Sequence, residues 1–137
     1  MSSLTLDASV ALAWLFEDEN NEYARKVMRA ASSRTMIVPP IWPLEVGNAL
    51  LVAERQKRIT RVQADDSLET LAGLEIIVDP GIVDASCKDL CVLARNFCLT
   101  TYDASYLSLA MRENTSLATL DRKLRLAAKE AGVALFE

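Results

Sequence analysis

The chain has 137 residues, of which 51% are hydrophobic and 25% are charged, and it contains no histidine. This length and composition predict one domain, over residues 1–137, with enough apolar chain to bury a core. The net charge of −4 excludes a uniformly basic nucleic-acid coat protein. The missing histidine excludes Ser-His and Cys-His nucleophile systems, which leaves carboxylates as the reactive groups.

Strand and helix patterns alternate along the whole chain. In order, they predict a strand at 4–6, helices at 7–16 and 20–33, a strand at 35–38, helices at 43–55 and 60–71, a strand at 75–78, helices at 83–95 and 102–112, a strand at 117–120, a helix at 122–131 and an edge strand at 134–136. Such alternation implies right-handed crossovers. The predicted class is therefore α/β, a three-layer α/β/α fold with a central, mainly parallel sheet of four to five strands.

Four carboxylates occur where predicted strands pass into helices. Asp7 follows the first strand, Asp121 follows the fourth, Glu45 lies in the first turn after the second strand, and Asp103 begins the helix before the fourth strand. In a parallel sheet these junctions all lie at the carboxyl edge, where α/β folds bind ligands. The sequence therefore predicts that the four side chains converge.

Helix capping is the competing explanation for the aspartates. Taken singly, Asp7, Asp103 and Asp121 are each explained as N-caps that complement a helix dipole. Glu45 resists this explanation, because its neighbours on the same helix face include Trp42 and Ala49. A carboxylate within an apolar stripe needs a partner, and a bound cation supplies one. Oxygen ligands without His or Cys favour Mg²⁺ or Mn²⁺ over zinc.

The cysteines and the lengths of the apolar runs indicate the cellular compartment of the protein. Cys87, Cys91 and Cys98 are odd in number, which fits a reducing compartment. Their apolar neighbours favour free thiols in a core over a thiolate metal site. Charges interrupt every apolar run well short of the roughly 20 residues of a bilayer span, and no signal peptide is recognisable. We therefore expect a cytoplasmic protein that does not enter a membrane.

At the level of motifs, the sequence resembles the PIN domains and, among them, the VapC toxin ribonucleases of bacterial toxin–antitoxin pairs. The resemblance covers the whole chain and is carried by "LTLDASVALAW" with Asp7, "PPIWPLEVGNAL" with Glu45, "TTYDASYLSLA" with Asp103 and "LATLDRKL" with Asp121. Polar residues that also match the family, and that we expect to support the site, are Ser9, Asn48 and Thr119. No fifth acid stands beside the last motif, so the number of ions, one or two, stays open.

The resemblance implies an endoribonuclease that depends on Mg²⁺ or Mn²⁺ and hydrolyses RNA phosphodiesters by in-line attack of water. Asp7, Asp103 and Asp121 would be the main metal ligands, and Glu45 a ligand, directly or through water, or the group that orients the nucleophile. The resemblance also implies a homodimer and a VapB-type antitoxin. Clusters of Lys and Arg on helices, otherwise solvated faces, offer contacts to RNA phosphates.

Other functions remain to be weighed. A housekeeping PIN nuclease in RNA processing would keep the same acids, whereas a catalytically inactive PIN-like module that binds RNA or protein would lose them. A phosphoacceptor domain would place acids at the same edge, but the chain lacks an adjacent acidic pair after its first strand. Trp14, Phe16 and Trp42 have two interpretations as well, contacts to a protein partner if exposed, or core packing.

Overall fold

The computed structural model describes residues 3–16, 21–81 and 87–137. Its strands are β1 (Leu4–Leu6), β2 (Met36–Val38), β3 (Ile76–Val78) and β4 (Ser116–Ala118). Its helices are α1 (Ala8–Leu15), α2 (Glu22–Ala31), α3 (Ile41–Arg55), α4 (Arg61–Ala72), α5 (Cys87–Phe97), α6 (Thr101–Glu113) and α7 (Arg122–Ala131).

The strands form one sheet in the order β3-β2-β1-β4, and each neighbouring pair is parallel. This confirms the predicted α/β class with a parallel central sheet flanked by helices. The connections from β1 to α1, from β2 to α3 and from β4 to α7 therefore leave the sheet at one common edge. That edge carries Asp7 directly after β1 and Asp121 three residues after the end of β4.

The carboxyl-terminal strands are shorter than predicted. β4 ends at Ala118, which is opposite Leu6, the last residue of β1, so the two paired strands end together. The predicted edge strand at 134–136 is reduced to a single parallel bridge between Leu117 and Leu135. The Leu117 N–H donates to the Ala134 carbonyl (2.9 Å), and the Phe136 N–H donates to the Leu117 carbonyl (3.0 Å).

Several helices begin away from the predicted residue. The Asn21 side chain accepts a hydrogen bond from the Ala24 N–H and caps α2, which therefore begins later than residue 20. α3 begins at Ile41, two residues before Pro43, so Glu45 lies in the second turn of the helix rather than the first. The predicted start of α5 at residue 83 lies outside the described residues.

The hydrophobic core lies between the sheet and its helices. Strand side chains that are fully buried in it are Leu4, Leu6, Met36, Val38 and Leu117. Phe16 and Trp42 are also buried, and the half-buried Trp14 donates its indole N–H to the Ala24 carbonyl (2.7 Å). Of the two interpretations of these aromatic residues, core packing therefore applies to Phe16 and Trp42.

Within the described residues, no helix combines the length and the apolar character that crossing a bilayer would require.

Candidate active site

Asp7 is a buried carboxylate at the carboxyl end of β1. Its N–H donates to the Ala118 carbonyl (2.9 Å), which extends the β1–β4 ladder by one bond. Asp7 occupies the N-cap position of α1, yet its side chain makes no capping hydrogen bond, and only 5% of the residue is exposed. The capping explanation therefore does not account for this aspartate.

Two hydroxyl groups hold the Asp7 carboxylate. Ser9 Oγ donates to Asp7 Oδ2 (2.5 Å), and Thr119 Oγ1 donates to the same oxygen (2.8 Å). Each hydroxyl also accepts a backbone hydrogen bond from the loop after β4: Leu120 N–H donates to Ser9 Oγ and Asp121 N–H donates to Thr119 Oγ1, both at 3.0 Å. This network ties the end of β1 to the end of β4 and orients Asp7.

Burial raises the pKa of Asp7, because the charged form loses its hydration. The hydrogen bonds from Ser9 and Thr119 act in the opposite direction, since they stabilise the carboxylate, while the negative charge of Glu45 raises the pKa further. Burial of the charged Asp7 carboxylate therefore destabilises the fold, and a nearby cation would offset this effect.

Glu45 enters the site from α3 and is half-buried. Its Oε1 accepts a hydrogen bond from the Tyr106 hydroxyl (2.5 Å). Burial raises the pKa of Glu45 above its ordinary value, the Tyr106 hydrogen bond lowers it, and the charge of Asp103 raises it. The expectation that this carboxylate needs a partner is met in part by a neutral donor, the Tyr106 hydroxyl, which the sequence alone does not indicate.

Asp103 lies in the first turn of α6 without capping it. The cap is Thr100, whose Oγ1 accepts a hydrogen bond from the Asp103 N–H (3.1 Å). Burial raises the pKa of the Asp103 carboxyl, and the charges of Asp121 and Asp7 raise it further. Thr100 and the positive charge of Lys123 act against that rise. Asp103 is therefore in the electrostatic field of two other site carboxylates.

Asp121 is the N-cap of α7, as the capping explanation predicts. Its Oδ1 accepts a hydrogen bond from the Leu124 N–H (3.0 Å). The charge of Asp121 also raises the pKa of Asp103. The Asp121 carboxylate therefore both caps α7 and interacts electrostatically with another carboxylate of the site. The structure thus separates the three aspartates, since only Asp121 caps a helix through its side chain.

The supporting residues differ in position. Ser9 and Thr119 belong to the hydroxyl network described above, and Thr119 is completely buried. Asn48 is exposed on α3, and in the described part of the chain no hydrogen bond links it to the four carboxylates. Tyr106 and Thr100 are additions to the predicted set. The signal for Tyr106 was its position three residues after Asp103, which places both on one face of α6.

The four carboxylates fit a hard divalent cation by their chemistry, because oxygen donors with uncompensated like charges favour Mg²⁺ or Mn²⁺. Their mutual effects on pKa link all four through the pairs Asp7–Glu45, Glu45–Asp103, Asp103–Asp121 and Asp103–Asp7. Within residues 3–16, 21–81 and 87–137, however, no group of three or more His, Cys, Asp or Glu side chains is close enough to form a ready-made metal cluster.

Among the described residues, the cysteines form no cluster with one another or with these carboxylates that could hold a metal ion. All three are free; Cys87 and Cys98 are exposed, and Cys91 is half-buried. The expectation of core thiols is wrong for the two exposed residues. Cys98 follows the end of α5 with a left-handed backbone (φ 54°), so the three thiols do not lie along one helix.

Comparison with known proteins gives a family match. A sequence profile of the PIN domain matches residues 4–130, whereas sequence comparison with curated proteins gives no match. Among solved structures with similar folds, PAE2754 from Pyrobaculum aerophilum is 24% identical with a TM-score of 0.67, over 93% of this chain and 86% of that chain.

Two further structures are similar in fold. VapBC2 from Rickettsia felis, solved bound to a DNA fragment from its promoter, is 16% identical with a TM-score of 0.65, over 98% of this chain and 97% of that chain. FitAcB from Neisseria gonorrhoeae is 17% identical with a TM-score of 0.66, over 98% and 96%. At these identities the likeness shows a shared fold.

Proposed function

This chain belongs to the PIN-domain family, and from that premise we propose that it is a metal-dependent endoribonuclease that acts on cytoplasmic RNA. PIN domains are generally nucleases. The observation that carries the proposal is the shared field of Asp7, Glu45, Asp103 and Asp121 at the carboxyl edge of the sheet, with raised pKa values at the first three. Carboxylates with raised pKa values that gather at such an edge are typical of catalytic sites.

Asp7, Asp103 and Asp121 would hold Mg²⁺ or Mn²⁺, and Glu45 would hold it directly or through water. When bound, the ion supplies positive charge that polarises the scissile phosphate and makes the attacking water more acidic. Ser9 and Thr119 orient Asp7 through their hydrogen bonds to Oδ2. Glu45, whose pKa is raised by burial, is suited to orient the water and accept its proton, because a base works best with a pKa nearer the working pH.

The substrate assignment to RNA rests on the motif resemblance and on charge. Lys123 is exposed at the start of α7, and its positive charge reaches Asp103. A lysine beside an acidic site can contact the phosphates that flank the scissile bond. We place Arg122, which is also exposed on this turn, in the same role.

We further propose that the enzyme is the toxin of a VapBC-type pair, a homodimer held inactive by a VapB-type antitoxin. The fold similarity to VapBC2 and FitAcB supports this assignment. Coexpression with a small protein encoded beside this gene should relieve growth arrest, and the two proteins should copurify. A chain that is harmless when expressed alone would favour a housekeeping PIN nuclease instead.

Cleavage of RNA by purified protein tests the nuclease assignment. Asp7→Asn, Asp103→Asn or Asp121→Asn should each lower Mn²⁺-dependent cleavage by at least about a hundredfold, because an amide is a neutral and weaker ligand. The matched control is Asp65→Asn, since Asp65 is exposed on α4 beside Arg61; it should keep full activity. Full activity of Asp103→Asn would refute the site, and inactivity of the natural protein would favour a non-catalytic module. Sequencing of RNA ends would identify the cleavage site.

A further inference from the structure

Tyr106 places a hydroxyl group between two elements of the carboxylate site. It lies on α6, one turn after Asp103, and none of its surface is exposed. Its hydroxyl donates to Glu45 Oε1 (2.5 Å), so a side chain of α6 fixes a carboxylate of α3. A buried tyrosine hydroxyl requires a polar partner, and here that partner is an acid of the site.

The same hydroxyl lies near the start of α1. The backbone N–H of Ala8 lowers the pKa of Tyr106, whereas the charge of Asp7 raises it. The hydroxyl that donates to Glu45 is therefore also close to Asp7, a carboxylate that arrives on a different element.

We propose that Tyr106 is a positioning residue of the nuclease site, whose hydroxyl orients Glu45 and so prepares that carboxylate for a divalent cation. This inference rests on the proposed function. Groups that orient metal ligands commonly change metal affinity or activity by about 10- to 100-fold when removed. Tyr106 acts through Glu45, because a side chain with no exposed surface reaches neither water nor RNA.

A neutral donor suits this place better than a lysine or arginine would. Glu45 accepts the bond while keeping its negative charge for the cation, whereas a buried ammonium or guanidinium would form an ion pair and compete with the cation. The geometry thus holds the carboxylate without neutralising it.

The test is removal of the hydroxyl by Tyr106→Phe, which leaves the ring in the core. The half-saturating Mn²⁺ concentration, measured by thermal shift, should rise about tenfold, and kcat for RNA cleavage should fall while KM for RNA stays unchanged. The control is Thr70→Val, which also removes one hydroxyl but on α4, where Thr70 Oγ1 donates to the Asp66 carbonyl (3.0 Å). It should leave the Mn²⁺ titration unchanged.

A double-mutant cycle with Glu45→Gln separates positioning from stability. If Tyr106 acts through Glu45, Tyr106→Phe should change the Mn²⁺ titration of Glu45→Gln by less than about twofold, because neighbours that act as a unit are not additive. Equal tenfold effects in both backgrounds would overturn the proposal. A Tyr106→Phe protein that does not fold would also overturn it, since the hydroxyl would then be a requirement of the fold.

The Mn²⁺ titration keeps this inference distinct from the proposed function. If the natural protein binds Mn²⁺ but cleaves no RNA, the nuclease assignment fails, and the shift caused by Tyr106→Phe still decides the role of Tyr106. If the natural protein shows no response to Mn²⁺ at matched ionic strength, both the site and the positioning role are wrong.

Discussion

Asp103→Asn should make the protein more stable without metal and less stable with it. Burial and the charges of Asp121 and Asp7 raise the pKa of Asp103, so the folded state disfavours the carboxylate. An acid with a raised pKa has no effect on stability below its unfolded value, near 3.8. Its destabilisation grows as the pH rises through the folded pKa and is complete above it. At neutral pH the neutral amide therefore removes an unfavourable charge.

The gain without metal is small. Asp103 is half-exposed, and interactions between such charges are worth about 0.2–1 kcal/mol after solvent screening. The α6 dipole favours a negative charge in its first turn by a similar amount, about 0.3–1 kcal/mol. Because the cost of burying the Asp103 carboxylate adds to the repulsion, we expect a net increase in unfolding free energy below about 1 kcal/mol. The Thr100 cap stays intact, because it binds the backbone N–H of Asp103.

A bound cation should make the natural protein more stable than the Asp103→Asn variant. A cation at one hundred times its Kd stabilises the natural protein by about 2.7 kcal/mol. If the substitution weakens binding a hundredfold, the same concentration equals the variant's Kd and contributes only about 0.4 kcal/mol. At about 4 °C per kcal/mol for a chain of this size, the natural protein should gain roughly 10 °C and the variant roughly 2 °C.

Thermal melts in EDTA and in millimolar Mn²⁺, at pH 7.5 and matched ionic strength, measure both effects. Asp65→Asn is again the control, because it removes an exposed aspartate elsewhere, on α4, and its Mn²⁺ response should equal that of the natural protein. Equal Mn²⁺ responses of Asp103→Asn and the natural protein would refute a common cation site. A metal-free Asp103→Asn protein that melts several degrees lower would refute the assigned repulsion.

Two further results are expected. Thr119→Val removes the buried hydroxyl that donates to Asp7 Oδ2 and accepts from the Asp121 N–H. Urea unfolding at pH 7 should therefore show that the free energy of unfolding falls by about 1–3 kcal/mol. An unchanged midpoint would mean that these hydrogen bonds do not contribute to stability. The Mn²⁺ affinity, measured by thermal shift, should weaken as the pH falls and protons compete for Asp7, Glu45 and Asp103, with a midpoint above their ordinary values of 3.8, 4.5 and 3.8; an affinity that stays unchanged down to about pH 4.5 would contradict the raised pKa values.

The fold was predictable because its signals are local. Short apolar, β-branched runs that end at residues such as Pro39 define the strands, and their alternation with helices requires a parallel sheet. The common location of the four acids then follows from topology. The length of β4 was not predictable from its own sequence. The strand ends at Ala118 because its partner β1, from a distant part of the chain, ends at the opposite residue, Leu6.

The finer structure of the site was only partly accessible from the sequence. Helical periodicity places Tyr106 beside Asp103. It does not show which other helix or strand packs against this face of α6. The pairing of the Tyr106 hydroxyl with Glu45 therefore appears only in three dimensions. The same limit applies to Asn48, whose spacing from Glu45 suggested a supporting role, while the packing of α3 leaves it exposed.

The two edges of the sheet differ in how they can meet another chain. Along β4, Leu117 is bonded on its outer side to Ala134 and Phe136, whereas β3 is an edge strand in which Ile77 and Val78 are exposed. An open edge is a template for pairing between molecules. Among the described residues only β3 leaves its outer edge unpaired, so such pairing ends at two molecules; release of residues 134–136 would expose a second edge and allow further chains to add. The short stretch beside β4 thus guards against strand-mediated aggregation.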